Sequence, residues 1–479
     1  MLIKTNPIAQ RLRALNGEKP SGAVQPGDLP KDTVTINPIE SATESLTHKP
    51  GTLQRPVILI NGLARDAHDW DKMVPWLTSN PENEFGGVYK KGEDQEFAEA
   101  VKSNPEAKVF VLDPSDNLAS PRVIGGEVRR MIDHILRHGG AEDVDLVGHS
   151  QGGLDILAAI DQGEDRVKNV VTLATPWKGA AVASVARRFD GLAGGTLGGV
   201  FAPVGRDKGA LFDLRPLPKN EWLQGVHDRW QSRPNNPQVS AISGSGTPTP
   251  GGQEGASITA GDGFVSIQSG LGLPGARNYH LAPGQWEPGD KNFRAFHSLD
   301  VNHLGIAGNS TAFKTVGQAL TGESGSTTTF KPEVDPTPKM PAEANLDAGE
   351  DTVHDYLRAD SQSEITPWLP VLDEIQGVRQ QIVDAQIDER AGDLKTKRSG
   401  WIVGAGLAAG AVGCYFGGAL GSLPGAATAL VGAHRMWSGV QEQKQAQLAQ
   451  ADAAKVAVQL KDYIEATTSG STFTNSILS

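Results

Sequence analysis

Val144-Asp-Leu-Val-Gly-His-Ser-Gln-Gly-Gly153 decides how this chain is read. An apolar run, Val144 to Val147, meets Gly148-His149-Ser150-Gln151-Gly152, and a helix-compatible run from Leu154 to Ile160 follows at once. The order is strand, G-x-S-x-G, helix. Its two glycines let strand and helix approach closely, so the turn between them is sharp and strained. The serine side chain is then pushed out at the carboxyl end of a sheet, within reach of a substrate and a partner base. The backbone N–H of Gln151 points at the same spot from the start of a helix, where negative charge developing on a carbonyl oxygen is stabilised. Ser150 is therefore expected to be a nucleophile. The competing reading is a plain tight turn in a chain with 57 glycines.

The flanking sequence supplies the sheet. Arg55-Pro-Val-Ile-Leu-Ile60 is a short continuous apolar run of the kind a buried parallel strand shows, and it ends in Asn61-Gly62-Leu63-Ala64-Arg65. Asp66 to Leu77 fits a helix with Trp70, Met73, Val74 and Leu77 on one face. A second strand is expected at Lys108–Asp113, an amphipathic helix at Pro121–His138, and a further strand at Asn169–Ala174, closed by Thr175-Pro176. Strands alternating with helices at this spacing predict an α/β fold, a mostly parallel sheet with helices on both faces. Function in such sheets sits at the carboxyl ends of the strands, where Asn61, Asp113, Ser150 and Thr175 fall. Residues 177–237 break the rhythm with an Ala-rich stretch, the glycine-dense Gly191–Gly199, and then Leu211, Phe212, Leu214, Leu217, Trp222 and Trp230. They are either a mobile lid over the site or a static helical insertion whose apolar residues are core.

A serine nucleophile needs a base, and the base an orienting carboxylate, in the chain order Ser, Asp or Glu, His. His227 lies in the insertion, and His280 stands in a loop with no strand expected before it. His303, followed by an apolar, helix-compatible run, is preferred as base over His297. Asp262, set between two glycines after the last strand region, is preferred as the acid over Asp290 and Asp300, which read as solvated turn residues.

Asn61-Gly-Leu63, Gly148-His-Ser-Gln-Gly152, Asp262-Gly-Phe-Val-Ser266 with Gly270-Leu-Gly272, and Asn302-His-Leu304 together resemble the bacterial true-lipase family of α/β-hydrolases. That family carries H-G-L, G-H-S-Q-G, D-G-x-V-S and N-H-L in this order, and Ala174-Thr-Pro176 matches its segment after the strand that follows the nucleophile. The resemblance covers roughly residues 55–310. It implies Ser150 as nucleophile, His303 as base, Asp262 as orienting acid, and the backbone N–H groups of Leu63 and Gln151 as oxyanion hole. Substrates would be acylglycerols or phospholipids. Two departures stand out. Asn61 takes the place of the family's histidine, and Gly305 follows Asn302-His303-Leu304 where an acidic residue usually helps hold a structural calcium, so no cofactor and no metal are expected.

Composition bounds the rest. The chain has 479 residues and a formal net charge of −12 with no long basic block, which excludes nucleic acid as the expected partner. One cysteine, Cys414, rules out an internal disulfide. Residues 1–54 read as a flexible leader without the apolar core of a cleaved secretory signal. Residues 55–321 form the expected α/β-hydrolase domain, with 177–237 as its insertion. Residues 322–345, rich in Gly, Ser, Thr and Pro, read as a linker, and 346–479 as an α-helical C-terminal module. Within it, Trp401 to Ala433 carries no charged residue, longer than the ~20 residues that cross a bilayer, yet it is dense in glycine. Gly413, Gly417 and Gly421 make a small-xxx-small face, so either a membrane-inserting segment or a buried helical pair fits. The leading expectation is a serine-dependent lipid ester hydrolase brought to a membrane surface by residues 401–433. It would be cytoplasmic or exported, as a toxin or effector, by a specialised machine. An acyltransferase or thioesterase on the same triad, or a non-catalytic membrane-binding protein on a hydrolase fold, are the alternatives.

Overall fold

A computed structural model describes residues 36–38, 49–183, 209–244, 247–251, 257–281, 302–321, 337–359, 365–421 and 423–469. The expected apolar runs become the centre of the sheet: β2 (Val57–Ile60), β4 (Val109–Asp113), β5 (Val144–His149) and β6 (Val167–Leu173). Every residue of β2 and β5 is buried, as continuous apolar strands covered on both faces must be. Around them lie β1 (Ile36–Pro38), β3 (Phe85–Lys90), β7 (Gln238–Gly244) and β10 (Arg277–Leu281). The eight strands run in the order β1-β10-β7-β6-β5-β2-β4-β3, and all the neighbouring pairs are parallel. A separate antiparallel pair, β8 (Thr247–Gly251) and β9 (Ser257–Gly261), precedes the Asp262 turn.

Two expectations are corrected here. His280 is not in a strandless loop: it lies in β10, in register with Ser243 of β7 and Pro38 of β1. Asp66 to Leu77 is not one helix but a 3₁₀ turn, Ala67–Trp70, and a short helix α1 (Met73–Leu77). Asp66 caps the first piece by accepting from His68 N–H. β1 gives a strand to the stretch expected as leader.

Helices α2 (Asp94–Ser103), α3 (Pro121–Gly139) and α4 (Gln151–Asp161) follow β3, β4 and β5. α3 begins where sequence rules place a start, with Ser120 accepting from Arg122 N–H and Pro121 in the first turn, and ends at Gly140 with φ 69°. One core cluster includes Ile58, Leu146, Ile132 and Leu157, and a second, on the other side of the alternating strand positions, includes Leu59, Val147, Trp70 and Phe313. Helices α5 (Gly209–Asp213), α6 (Glu221–Ser232) and α7 (Ile267–Gly270) precede α8 (Ser310–Thr321), which carries Phe313. The described part of the insertion is core: Leu211, Leu214, Leu223, Val226 and Trp230 join the first cluster. Asp213 is clamped by Arg122 through two bonds of 2.9 and 3.0 Å. The glycine-dense Gly191–Gly199, His297, Asp290 and Asp300 lie outside the described residues, as does most of the stretch expected as linker.

The C-terminal helices are α9 (Pro341–Ala359), α10 (Leu369–Gly421) and α11 (Leu423–Thr468). The chain divides into two units, with 350–372 in the unit that holds the sheet and 341–349 with 373–479 in the other. In the first, Arg129, fully buried, binds Glu350 at 2.9 Å and Asp351 at 2.6 Å, and His354 binds Asp133 at 2.5 Å. In the second, α10 and α11 run antiparallel. A side-chain carbon on Gly392 would stand 2.8 Å from the Gly439 carbonyl, Lys395 binds Glu442 at 2.5 Å, and Ile375, Val378 and Ile382, spaced by three and four along α10, are buried. Leu423-Pro424-Gly425 opens α11, where a first-turn proline costs no hydrogen bond. Among the described residues no helix is long and apolar enough to cross a membrane.

Candidate active site

Ser150 joins β5 to α4 with φ 54° and ψ −122°, a conformation L-residues rarely hold unless the surroundings impose it. Its N–H donates to the Leu173 carbonyl of β6 at 2.8 Å. The two motif glycines explain how the turn closes. A side-chain carbon on Gly148 would stand 2.6 Å from Gly153 N, and one on Gly152 would press into the Ile60 carbonyl and lie 2.7 Å from that of Asn61.

The structure brings Ser150, His303 and Asp262 into one line. His303 Nε2 lies 2.8 Å from Ser150 Oγ, and His303 Nδ1 lies 2.9 Å from Asp262 Oδ2. The carboxylate is oriented by its own loop: Oδ1 accepts from Phe264 N–H at 3.0 Å and Val265 N–H at 2.7 Å. Gly263, at φ 101°, makes that turn possible and donates to Thr249 Oγ1 at 2.8 Å. The base loop is tied to the same turn through His303 N–H and the Asp262 carbonyl, 2.9 Å apart. Phe264 stacks on the His303 ring with centroids 5.0 Å apart. With Asp262 accepting at Nδ1, the imidazole keeps Nε2 free to accept the serine proton.

Leu63 and Gln151 flank this line. Among the described residues no acceptor engages either backbone N–H. The Leu63 loop is held by Asn61, whose side-chain N–H donates to the Arg65 carbonyl at 2.6 Å, and by Ala64 at φ 56°. The Gln151 side chain is fixed behind α4, donating to the Ala119 carbonyl at 3.0 Å and, weakly, to Asp155 at 3.4 Å. Burial raises the Asp155 carboxyl well above the usual carboxylate range, with nearby Glu127 adding to it and the Gln151 bond opposing.

A cleft of about 220 Å³ opens on Ser150 and His303. Its walls are mainly apolar: Leu63, Pro176, Val182, Leu211, Leu214 and Val265 among them, with Leu304 more than half exposed beside the base. Among the described residues no group of three or more His, Cys, Asp or Glu side chains is placed to hold a metal ion. Sequence reading missed one constellation at the site. His149, Asp69 and Arg65 form a second hydrogen-bonded chain beside His303. His149 was visible only as a motif letter, and nothing in the sequence pairs it with a residue 80 positions earlier.

Comparison with known proteins bears on the fold. A family model described as alpha/beta hydrolase fold matches residues 55–241, the span from β2 into β7. The chain has the α/β-hydrolase fold. No curated protein matches it. Among solved structures, this chain is similar to the gene lin2722 product of Listeria innocua, at 16% identity and a TM-score of 0.36, covering 59% of this chain and 100% of that one. It is also similar to the mature form of Bacillus licheniformis lipase BlEst2, at 18% identity and a TM-score of 0.37, covering 57% and 94%. Aspergillus fumigatus lipase B follows at 14% and 0.27, covering 67% and 76%.

Proposed function

We propose that this chain is a serine carboxylic-ester hydrolase of the lipase or phospholipase type. The observation that carries the reading is the continuous hydrogen-bonded line from Asp262 through His303 to Ser150, seated on a strained strand-to-helix turn. In the proposed reaction His303 Nε2 takes the Ser150 proton as Oγ attacks the ester carbonyl. The backbone N–H groups of Leu63 and Gln151 receive the oxyanion. His303 then returns the proton to the leaving alcohol, and an acyl group remains on Ser150. Water, activated by the same nitrogen, releases the acid. The apolar cleft walls favour an acyl chain over a polar substrate.

Contact with a lipid surface is assigned, in the same proposal, to the C-terminal helices. Trp401 is 84% exposed and Leu430 72% exposed, with Val431 and Trp437 also exposed, and all four lie in or beside the uncharged run. Tryptophans next to Arg398 and Arg435 have the composition of an interfacial belt.

Hydrolysis of p-nitrophenyl esters of graded chain length and of phospholipid vesicles, by the full chain and by Ser150→Ala, tests the proposal. Vesicle hydrolysis that vanishes in the variant is the expected result. Folded protein inactive on every ester overturns it. Loss of vesicle binding in Trp401→Ala/Trp437→Ala, with soluble-ester turnover unchanged, is expected for the membrane assignment, and unchanged binding refutes it.

A further inference from the structure

Both nitrogens of the His149 ring face acceptors. Nδ1 lies 3.0 Å from Asp69 Oδ2, and Nε2 lies 2.9 Å from the backbone carbonyl oxygen of His303. A carboxylate and a carbonyl only accept, so the two bonds coexist when each ring nitrogen carries a hydrogen. The His149 and Asp69 side chains are each 1% exposed, so water does not substitute for either partner. The other Asp69 oxygen accepts from Arg65 Nε at 2.5 Å. Arg65 closes the loop that presents Leu63, and its carbonyl is held by the side chains of Asn61 and Asn117 at 2.6 and 3.0 Å.

Four segments meet through this chain: the loop after β2, the 3₁₀ turn at Ala67–Trp70, the end of β5 and the base loop. The His303 backbone is gripped from both sides, its N–H by the Asp262 carbonyl and its C=O by His149. The His149 and His303 rings lie 5.3 Å apart, and both His149 nitrogens are engaged away from Ser150 Oγ.

We infer that His149 and Asp69 are a positioning pair: an imidazole carrying hydrogen on both nitrogens, anchored on Asp69, holds the His303 carbonyl and ties the base loop to the oxyanion loop through Arg65. The inference rests on the reading of Ser150 and His303 as nucleophile and base. Its electrostatics agree. Burial alone raises the Asp69 carboxyl, but the His149 hydrogen bond and charge, joined by Arg65, override it and hold the group below its usual value. The pair sets where His303 sits; His149 borders the cleft, but the apolar walls that would hold an acyl chain come from other residues, so loss of the pair falls on kcat more than on KM. A displacement of about 1 Å costs up to about 10²-fold in rate.

The variants separate gripping from filling space. His149→Phe fills the volume and removes both bonds, so kcat falls by about 10- to 100-fold with KM within about twofold. Asp69→Asn allows a neutral ring, accepting at Nδ1 from the new amide and still donating from Nε2 to the His303 carbonyl. It loses less than about tenfold. A spectroscopic readout stands apart from activity. In ¹⁵N-histidine-labelled full chain carrying Ser150→Ala, the signal that His149→Gln removes is expected to show both nitrogens protonated. Adding Asp69→Asn is expected to convert it to a neutral Nε2–H ring. A neutral His149 in the Ser150→Ala chain, or His149→Phe with wild-type kcat, overturns the inference. An inactive wild type refutes the hydrolase reading separately, and the ¹⁵N signature then decides whether His149 grips the loop.

Discussion

Asp262→Asn changes one atom, and the structure dictates what that atom does. Oδ1 of Asp262 receives two backbone N–H groups, from Phe264 and Val265, so an amide placed there must keep its oxygen toward them. The reverse orientation sets an NH₂ against two donors. The NH₂ group then faces His303 Nδ1, 2.9 Å away from the present Oδ2, and that nitrogen has to accept. The imidazole hydrogen moves to Nε2, where it points at Ser150 Oγ, and the nitrogen that should take the serine proton is occupied. A base locked in the wrong tautomer loses about 10⁴-fold in kcat, or about 5.5 kcal/mol of transition-state stabilisation. Folding is affected far less. The variant forgoes one charge-assisted set of hydrogen bonds, about 1.5–3 kcal/mol. Initial rates on a p-nitrophenyl ester give the first quantity and a urea midpoint the second. A folded Asp262→Asn variant within about tenfold of wild-type kcat would refute the reasoning.

Other outcomes follow from the same contacts. Gly152→Ala drives a methyl into the Ile60 carbonyl, so it is expected to destabilise by about 1–3 kcal/mol and to lower activity through the displaced serine, read by a urea midpoint and by kcat. Burial works against charge on His354, but Asp133 overrides it and raises His354, while His354 and Arg166 hold Asp133 below its usual range. A raised histidine stabilises fully below its unfolded pKa and stops doing so as pH rises through the folded value; a depressed aspartate stabilises above its unfolded pKa and stops on acidification. The stability gap between wild type and His354→Gln is therefore largest from about pH 4 to about pH 6.5 and narrows above that. Its size is expected at about 1.5–3 kcal/mol, since Arg166 still pairs Asp133 at 2.7 Å in the variant, and urea unfolding across pH measures it. Asp155 has the opposite sign: its raised pKa makes it increasingly destabilising as pH climbs past about 4. Asp155→Asn keeps an oxygen for the Gln151 bond and is expected to raise the thermal midpoint at neutral pH and flatten its pH dependence.

Sequence was most legible where one physical demand dominated. Buried parallel strands need uninterrupted apolar residues, so Val57–Ile60, Val109–Asp113 and Val144–His149 were plain. β3, Phe85-Gly-Gly-Val-Tyr-Lys90, was not, because an edge strand half open to solvent keeps only Gly86 and Tyr89 buried and carries no apolar run. β8 was hidden by its two prolines, tolerated in a two-stranded pair. β10 was hidden by a polar composition, Arg-Asn-Tyr-His-Leu, that gives no periodic signal. At the site, chain order and turn residues were enough to bring Ser150, Asp262 and His303 forward. Asp69 was not, since its partner is fixed by where β5 ends relative to a 3₁₀ turn, which no local spacing encodes.

The central claim is that Ser150 is the nucleophile, and covalent labelling tests it most directly. The full chain is incubated with an alkyl fluorophosphonate, then intact mass and peptide mapping locate the adduct. One phosphonyl group on Ser150, absent from Ser150→Ala and formed far more slowly in Asp262→Asn and His303→Ala, is the predicted result. A folded chain that takes up no label, or takes it on another serine with Ser150 untouched, contradicts the account.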